Sequence, residues 1–142
     1  MRSWILAAML LCAAGPALAD PAPPPTPEDV TERVSADQNG RSVDLVEGGS
    51  LAVELQSSAS TGASWSVTAK PDFITQAQVL HGPVSTPPAN GRPLMGAPRW
   101  DVFLFEATAT GSGEIVLEKR GPGAGPAGSA LLDTFRVTVS VQ

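Results

Sequence analysis

Apolar and polar residues alternate with a period of two through most of the chain from Glu32 to Gln142. Leu51, Val53 and Leu55 alternate with Ala52 and Glu54; Phe135, Val137, Val139 and Val141 alternate with Arg136, Thr138 and Ser140. Successive side chains of a strand point to opposite faces, so such runs predict half-buried strands with one wet face. The pattern predicts strands at Ser42–Val46, Leu51–Gln56, Trp65–Ala69, Ile74–Leu80, Trp100–Ala109, Glu114–Lys119 and Thr134–Val141, and no helix. Asn39-Gly40, Gly48-Gly49, Lys70-Pro71-Asp72, Gly111-Ser112-Gly113 and the Gly/Pro run 121–128 read as the breaks between them. The expected fold is all-β, an immunoglobulin-like β-sandwich of about seven strands.

Trp65 leads a strand and is expected in the core, as are Phe103, Phe105 and Ala107, which share one strand face. Trp100, Val102 and Leu104 share the opposite face, so Trp100–Phe105 is apolar on both sides apart from Asp101. Left uncovered, that outer face is either a binding surface or an aggregation liability. The widest connection, His81–Arg99, is rich in Pro and Gly, and loops of that length are commonly functional or disordered.

The ends change the picture. Residues 1–19 combine Arg2, an apolar run Trp4–Ala14 and an Ala17-Leu18-Ala19 cleavage site, which is the pattern of a secretory signal peptide. The protein is therefore expected to be exported, periplasmic or secreted, with no membrane insertion after cleavage. Cys12 is the one cysteine and lies in that segment, so the mature domain has neither a disulfide nor a thiol nucleophile. Residues 20–29 form a Pro-rich linker, expected as a stiff tether, and the folded domain spans 30–142.

A formal net charge of −5 argues against nucleic acid as a partner, because neutralising phosphates needs a basic face. Enzyme chemistry finds no foothold. His81 is the single histidine and is expected to be solvated; no Ser stands in a Gly-x-Ser-x-Gly context. Glu28, Asp29 and Glu32 lie where nothing fixes their separation, and no metal-ligand spacing or phosphate loop appears. No cofactor is expected.

The run Ser58-Ala59-Ser60-Thr61-Gly62-Ala63-Ser64-Trp65 is small, polar and turn-forming between two strands. Its Thr-Gly-x-x-Trp spacing resembles the Asn-Pro-Thr-Thr-Gly-Tyr-x-Trp loop of the chagasin-like inhibitors of papain-type cysteine proteases. Ser60, Thr61, Gly62 and Trp65 match in identity or near-identity; Ser58, Ala59 and Ala63 stand where that family has Asn, Pro and Tyr. Asp37–Arg41 followed by Gly48-Gly49 looks like the family's opening, and Phe105-Glu106-Ala107 like its Phe-x-Ala strand. Gly96-Ala97-Pro98-Arg99 takes the place of its Gly-x-Gly-Gly loop, and Arg120-Gly121-Pro122-Gly123 that of its Arg-Pro-Trp loop. The resemblance spans roughly Thr31 to Gln142.

The resemblance implies a sandwich whose three loops line up at one end as a reversible, non-covalent block of a papain-type protease cleft. Ser58–Ala63 would be the central wedge, with Thr61 nearest the catalytic residues. Gly96–Arg99 and Arg120–Pro122 would grip the two cleft walls. Trp100 is either a replacement for the missing loop aromatics or a cover for the sheet. Arg92, Arg99, Lys119 and Arg120 are candidates for a basic rim. The alternative is a non-catalytic exported binding module whose loops have been lost or repurposed.

Overall fold

The alternating runs pair into two four-stranded sheets in a computed structural model that describes residues 21–85, 97–123 and 130–142. In chain order the strands are β1 (Glu32–Ser35), β2 (Ser42–Leu45), β3 (Ser50–Ser58), β4 (Ser64–Ala69), β5 (Ile74–Pro83), β6 (Pro98–Ala107), β7 (Gly111–Gly121) and β8 (Ala130–Val141). One sheet has the order β1-β3-β6-β5 and the other β2-β8-β7-β4. The pairs β1–β3 and β2–β8 are parallel; the rest are antiparallel. The expected all-β sandwich is what forms. The expected signal segment with Cys12, and Gly96 of the second loop, lie outside the described residues.

The core lies where the inward rows meet. Leu51 pairs with Phe105 and Val53 with Phe103 in one sheet; Ile115 pairs with Val137 and Leu117 with Phe135 in the other. All belong to one buried cluster, and Ala107 joins it as the alternation predicted. Trp65 differs from its core assignment. It lies on β4, an edge strand, and is half-buried, packed against the cluster rather than enclosed by it.

Three further departures have physical causes. The strand β1 has no apolar alternation; only Val34 is buried, and parallel pairing with β3 holds it in place. The Ser35–Gln38 turn that follows is closed by Gln38 Oε1, which accepts from the Ser35 N–H at 3.0 Å. Gly111–Gly113, expected as a turn, instead opens β7 and pairs with Val141–Val139. Glycine is needed there by packing: a Cβ at Gly113 would come within 2.5 Å of Pro71 Cγ. Likewise His81–Pro83 and Pro98–Arg99, expected in the long connection, extend β5 and β6. Both prolines sit where strands tolerate them, Pro83 on an edge strand and Pro98 at a strand start.

The Pro-rich segment is docked on the sheet. Ala22 N–H donates to Val84 O at 2.8 Å, and Arg33 reaches back to Pro27 O at 2.9 Å. Between these ends Thr26 Oγ1 donates to Glu54, and Pro25 lies over Gly82, where a Cβ would meet its ring at 3.1 Å. Glu54 and Gly82 flank Val102 and Trp100 on the outward rows of β3, β6 and β5. Ala52 and Val102 lie on the same outward rows and are 0% exposed. The strap thus lies over the Trp100 end of the apolar outer face, while Leu104 stays half-buried.

Candidate functional site

The first loop is a short 3-10 turn, Ala59–Thr61, followed by Gly62 at φ +66° and then Ala63. A positive φ suits glycine because it has no Cβ to clash. The turn is braced by its own side chains. Thr61 Oγ1 donates to Ser58 O at 2.9 Å and accepts from the Ala63 N–H at 3.4 Å, and the Ser58 and Ser60 hydroxyls lie 3.0 Å apart. Thr61's hydroxyl is therefore engaged within the loop, which leaves its methyl group and the Ser60 side chain as the exposed tip. Ala63 is 4% exposed; its side chain belongs to the sandwich, not to the surface.

Strand pairing sets the order of the loops. The residue entering the first loop, Ser58, pairs with Pro98 at the end of the second. The residue leaving it, Ser64, pairs with Arg120 at the start of the third. The first loop consequently lies between the other two, and a Cβ at Gly62 would be 3.3 Å from Pro122 Cδ. Thr61, Gly62, Pro98 and Pro122 are all exposed at this end, with Ala97 half-buried. Gly121 is buried, and Leu132 lies 3.0 Å from where its Cβ would stand.

The charged residues of the expected rim are held individually. Arg120 makes a two-point contact with Glu118 Oε2, at 2.9 Å from Nε and 2.6 Å from Nη2. Arg99 turns its Nε inward, 3.1 Å from Asp101 Oδ1 and 3.2 Å from Ser57 Oγ. Lys119 stands over the Trp65 ring, 5.8 Å from its centroid. Arg92 lies outside the described residues.

Trp65 and Trp100 line a common groove of about 480 Å³ with Gln56, Lys119, Glu54 and Asp133, beyond the point where β1 ends. Trp65 Nε1 donates to Gln56 O at 2.9 Å, capping a carbonyl that β1 does not reach. Trp100 Nε1 donates to Ala22 O at 3.0 Å, so its indole is tied to the strap. Asp37 at the groove rim is held below the usual carboxylate range, first by the Ser35 hydroxyl, then by its own backbone N–H and by Arg41.

Two features escape a reading of the sequence. Leu131 and Leu132, beside the third loop, are 51% and 57% exposed, and the alternation signal begins only at Thr134. His81 is half-exposed as expected of a solvated histidine, yet its Nδ1 lies 2.7 Å from Asp101 Oδ1. The signal available for that pair was Asp101 itself, the one charge in an apolar run. No group of residues able to hold a metal occurs among the described residues.

The family model described as chagasin family peptidase inhibitor I42 matches residues 44–139. The cysteine protease inhibitor EhICP2 from Entamoeba histolytica superposes with a TM-score of 0.65 at 16% identity, over 82% of this chain and 100% of its own. The solution structure of Amebosin superposes with a TM-score of 0.59 at 24% identity, over 78% of this chain and 97% of its own. At these identities the two structures speak for the fold. No curated protein matches the chain in sequence.

Proposed function

The chain belongs to the chagasin family of peptidase inhibitors, and we propose that its loop end reversibly blocks the active-site cleft of papain-type cysteine proteases. One observation carries this reading. The first loop is seated between the ends of the other two by the pairs Ser58–Pro98 and Ser64–Arg120. A cleft with two walls needs a wedge with two shoulders, and that is the shape these pairs impose.

Ser60, Thr61 and Gly62 form the wedge. Ala97–Arg99 and Arg120–Pro122 meet the walls, and Leu131 and Leu132 add apolar contact beside the third loop, where aromatic anchors are absent. A patch of standard size, roughly 800 Å² per partner, suffices for a stable complex. The internal bonds of Thr61 fix the loop before binding, so little entropy is lost on docking. The protein contributes no nucleophile and forms no covalent bond; it excludes substrate by occupancy. The signal segment read in residues 1–19 puts the encounter outside the cytoplasm, in the periplasm or the medium.

Titration of papain with the purified protein, followed with a fluorogenic peptide, tests this. The expected result is reversible inhibition competitive with substrate, the inhibitor remaining intact by mass. Full papain activity at micromolar inhibitor, or stoichiometric cleavage of the first loop, would overturn it.

Trp100, bound to the strap rather than free at the loop end, acts by supporting the sheet. Trp100→Phe removes the bond to Ala22 and keeps an aromatic ring. It is expected to cost about 1 kcal/mol of stability, measured by urea unfolding, with an inhibition constant unchanged within about twofold.

A further inference from the structure

We propose that Asp101 is a positioning residue that locks the first and second loops to one another, an inference that rests on the loop end being the inhibitory surface. Ser57 and Asp101 are the buried polar side chains among the described residues, each 2% exposed, and both lie directly beneath this end. Strand register explains why they meet. Leu55, Asp101 and His81 form one cross-strand row on the inward face, and Ser57, Arg99 and Pro83 form the next. The core row thus gives way to a polar row just before the loops begin.

Each member of the network sits at the base of a loop. Ser57 precedes Ser58, where the first loop departs. Arg99 lies where the second loop rejoins β6, and His81 lies on β5 just before that loop leaves. Asp101 Oδ1 lies 2.7 Å from His81 Nδ1 and 3.1 Å from Arg99 Nε, and the same Nε donates to Ser57 Oγ at 3.2 Å. One carboxylate therefore ties both stems of the second loop together and, through Arg99, ties them to the stem of the first.

A buried carboxylate is a strong constraint. Burial penalises any geometry in which it loses its polar partners, so the two stems cannot part without leaving it unpaired. An apolar residue of the same size would fill the space and leave the stems held by their strand pairing alone. The side chain matters to inhibition because a wedge and its shoulder must keep a fixed separation. A displacement of about 1 Å is enough to spoil a fitted contact.

Asp101→Asn keeps the shape and removes the charge. Backbone order parameters from ¹⁵N relaxation are the primary readout, for Ser60–Ala63 and for Ala97 and Arg99. In the native protein they should lie near the rigid value of about 0.85, and in Asp101→Asn both loops should fall toward about 0.6. The inhibition constant for papain should rise about tenfold through faster dissociation, while order parameters on β2 and β8 stay unchanged.

Arg99→Lys, which keeps a positive charge but loses the planar Nε bridge to Ser57, provides the second variant. It should loosen the first loop relative to the second and weaken inhibition several-fold; it carries the test if Asp101→Asn does not fold. Unchanged order parameters in both loops of the folded variants would overturn the proposal, as would loosening confined to β6. The relaxation experiment reads the lock even where native protein leaves papain fully active, an outcome that would count against the inhibitory reading alone.

Discussion

Thr61→Trp is expected to raise the inhibition constant for papain at least a hundredfold while leaving the fold intact. Thr61 is exposed at the tip of the 3-10 turn. In the free protein the indole would extend into solvent. In the complex it would have to occupy space filled by the protease. Overpacking at a close-fitting site costs about 1–3 kcal/mol and more where neither side can move; about 2.8 kcal/mol corresponds to a hundredfold. The substitution also removes the hydroxyl that bonds Ser58 O and Ala63 N–H. Thr61→Val separates these effects, since it keeps the shape and loses only the brace. Its inhibition constant should rise by about tenfold, the equivalent of two lost hydrogen bonds of roughly 0.7 kcal/mol each. Steady-state inhibition of both variants, with far-ultraviolet circular dichroism to verify the fold, checks the pair. Equal inhibition by Thr61→Trp and native protein would remove the first loop from the contact.

The largest effect on stability is expected from Phe105→Ala. Phe105 is 0% exposed, pairs with Leu51 across β3–β6 and belongs to the inter-sheet cluster. Truncating a buried Phe costs about 3–5 kcal/mol, the transfer term plus the cavity left behind. That is a large share of a typical domain stability of about 5–15 kcal/mol. No disulfide can compensate, since the single cysteine is Cys12. The thermal midpoint should fall by roughly 10–20 °C, measured by calorimetry, and Phe105→Leu should recover most of the loss. Because Phe105 is remote from the loops, the folded fraction of Phe105→Ala should inhibit papain with a near-native constant. A midpoint shift of only a few degrees would mean that the two sheets hold together by other contacts.

Much of the fold was legible because its inner rows are written as strict alternation. Leu51–Leu55, Phe103–Ala107 and Phe135–Val141 each put odd-numbered residues inward, and the structure pairs them as neighbours in the core. The first loop's turn was legible through Thr-Gly-x-x-Trp, which matches one tight turn with a positive φ at Gly62. Where a residue's role depends on a distant partner, the sequence was mute. Glu32–Ser35 has a single apolar residue and becomes a strand through β3. The Pro-rich segment shows no periodicity and becomes a strap because Glu54, Gly82 and Trp100 receive it. His81 and Asp101 are 20 residues apart, and only the β5–β6 register brings them into contact. Trp65 reads as core because it leads a strand; its edge-strand position, which leaves it half-buried, depends on strand order and not on pattern.

The claim that the loop end occupies the catalytic cleft is tested most directly by the reactivity of the protease's own nucleophile. Papain's catalytic cysteine is a low-pKa thiolate and alkylates readily when exposed. With the inhibitor at a hundred times its dissociation constant, only about 1% of the protease is free. Alkylation of the catalytic thiol by iodoacetamide should then slow roughly a hundredfold, and Thr61→Trp at the same concentration should restore at least about half of the rate. Alkylation at full speed while the protein is demonstrably bound would place the contact outside the cleft and contradict the account.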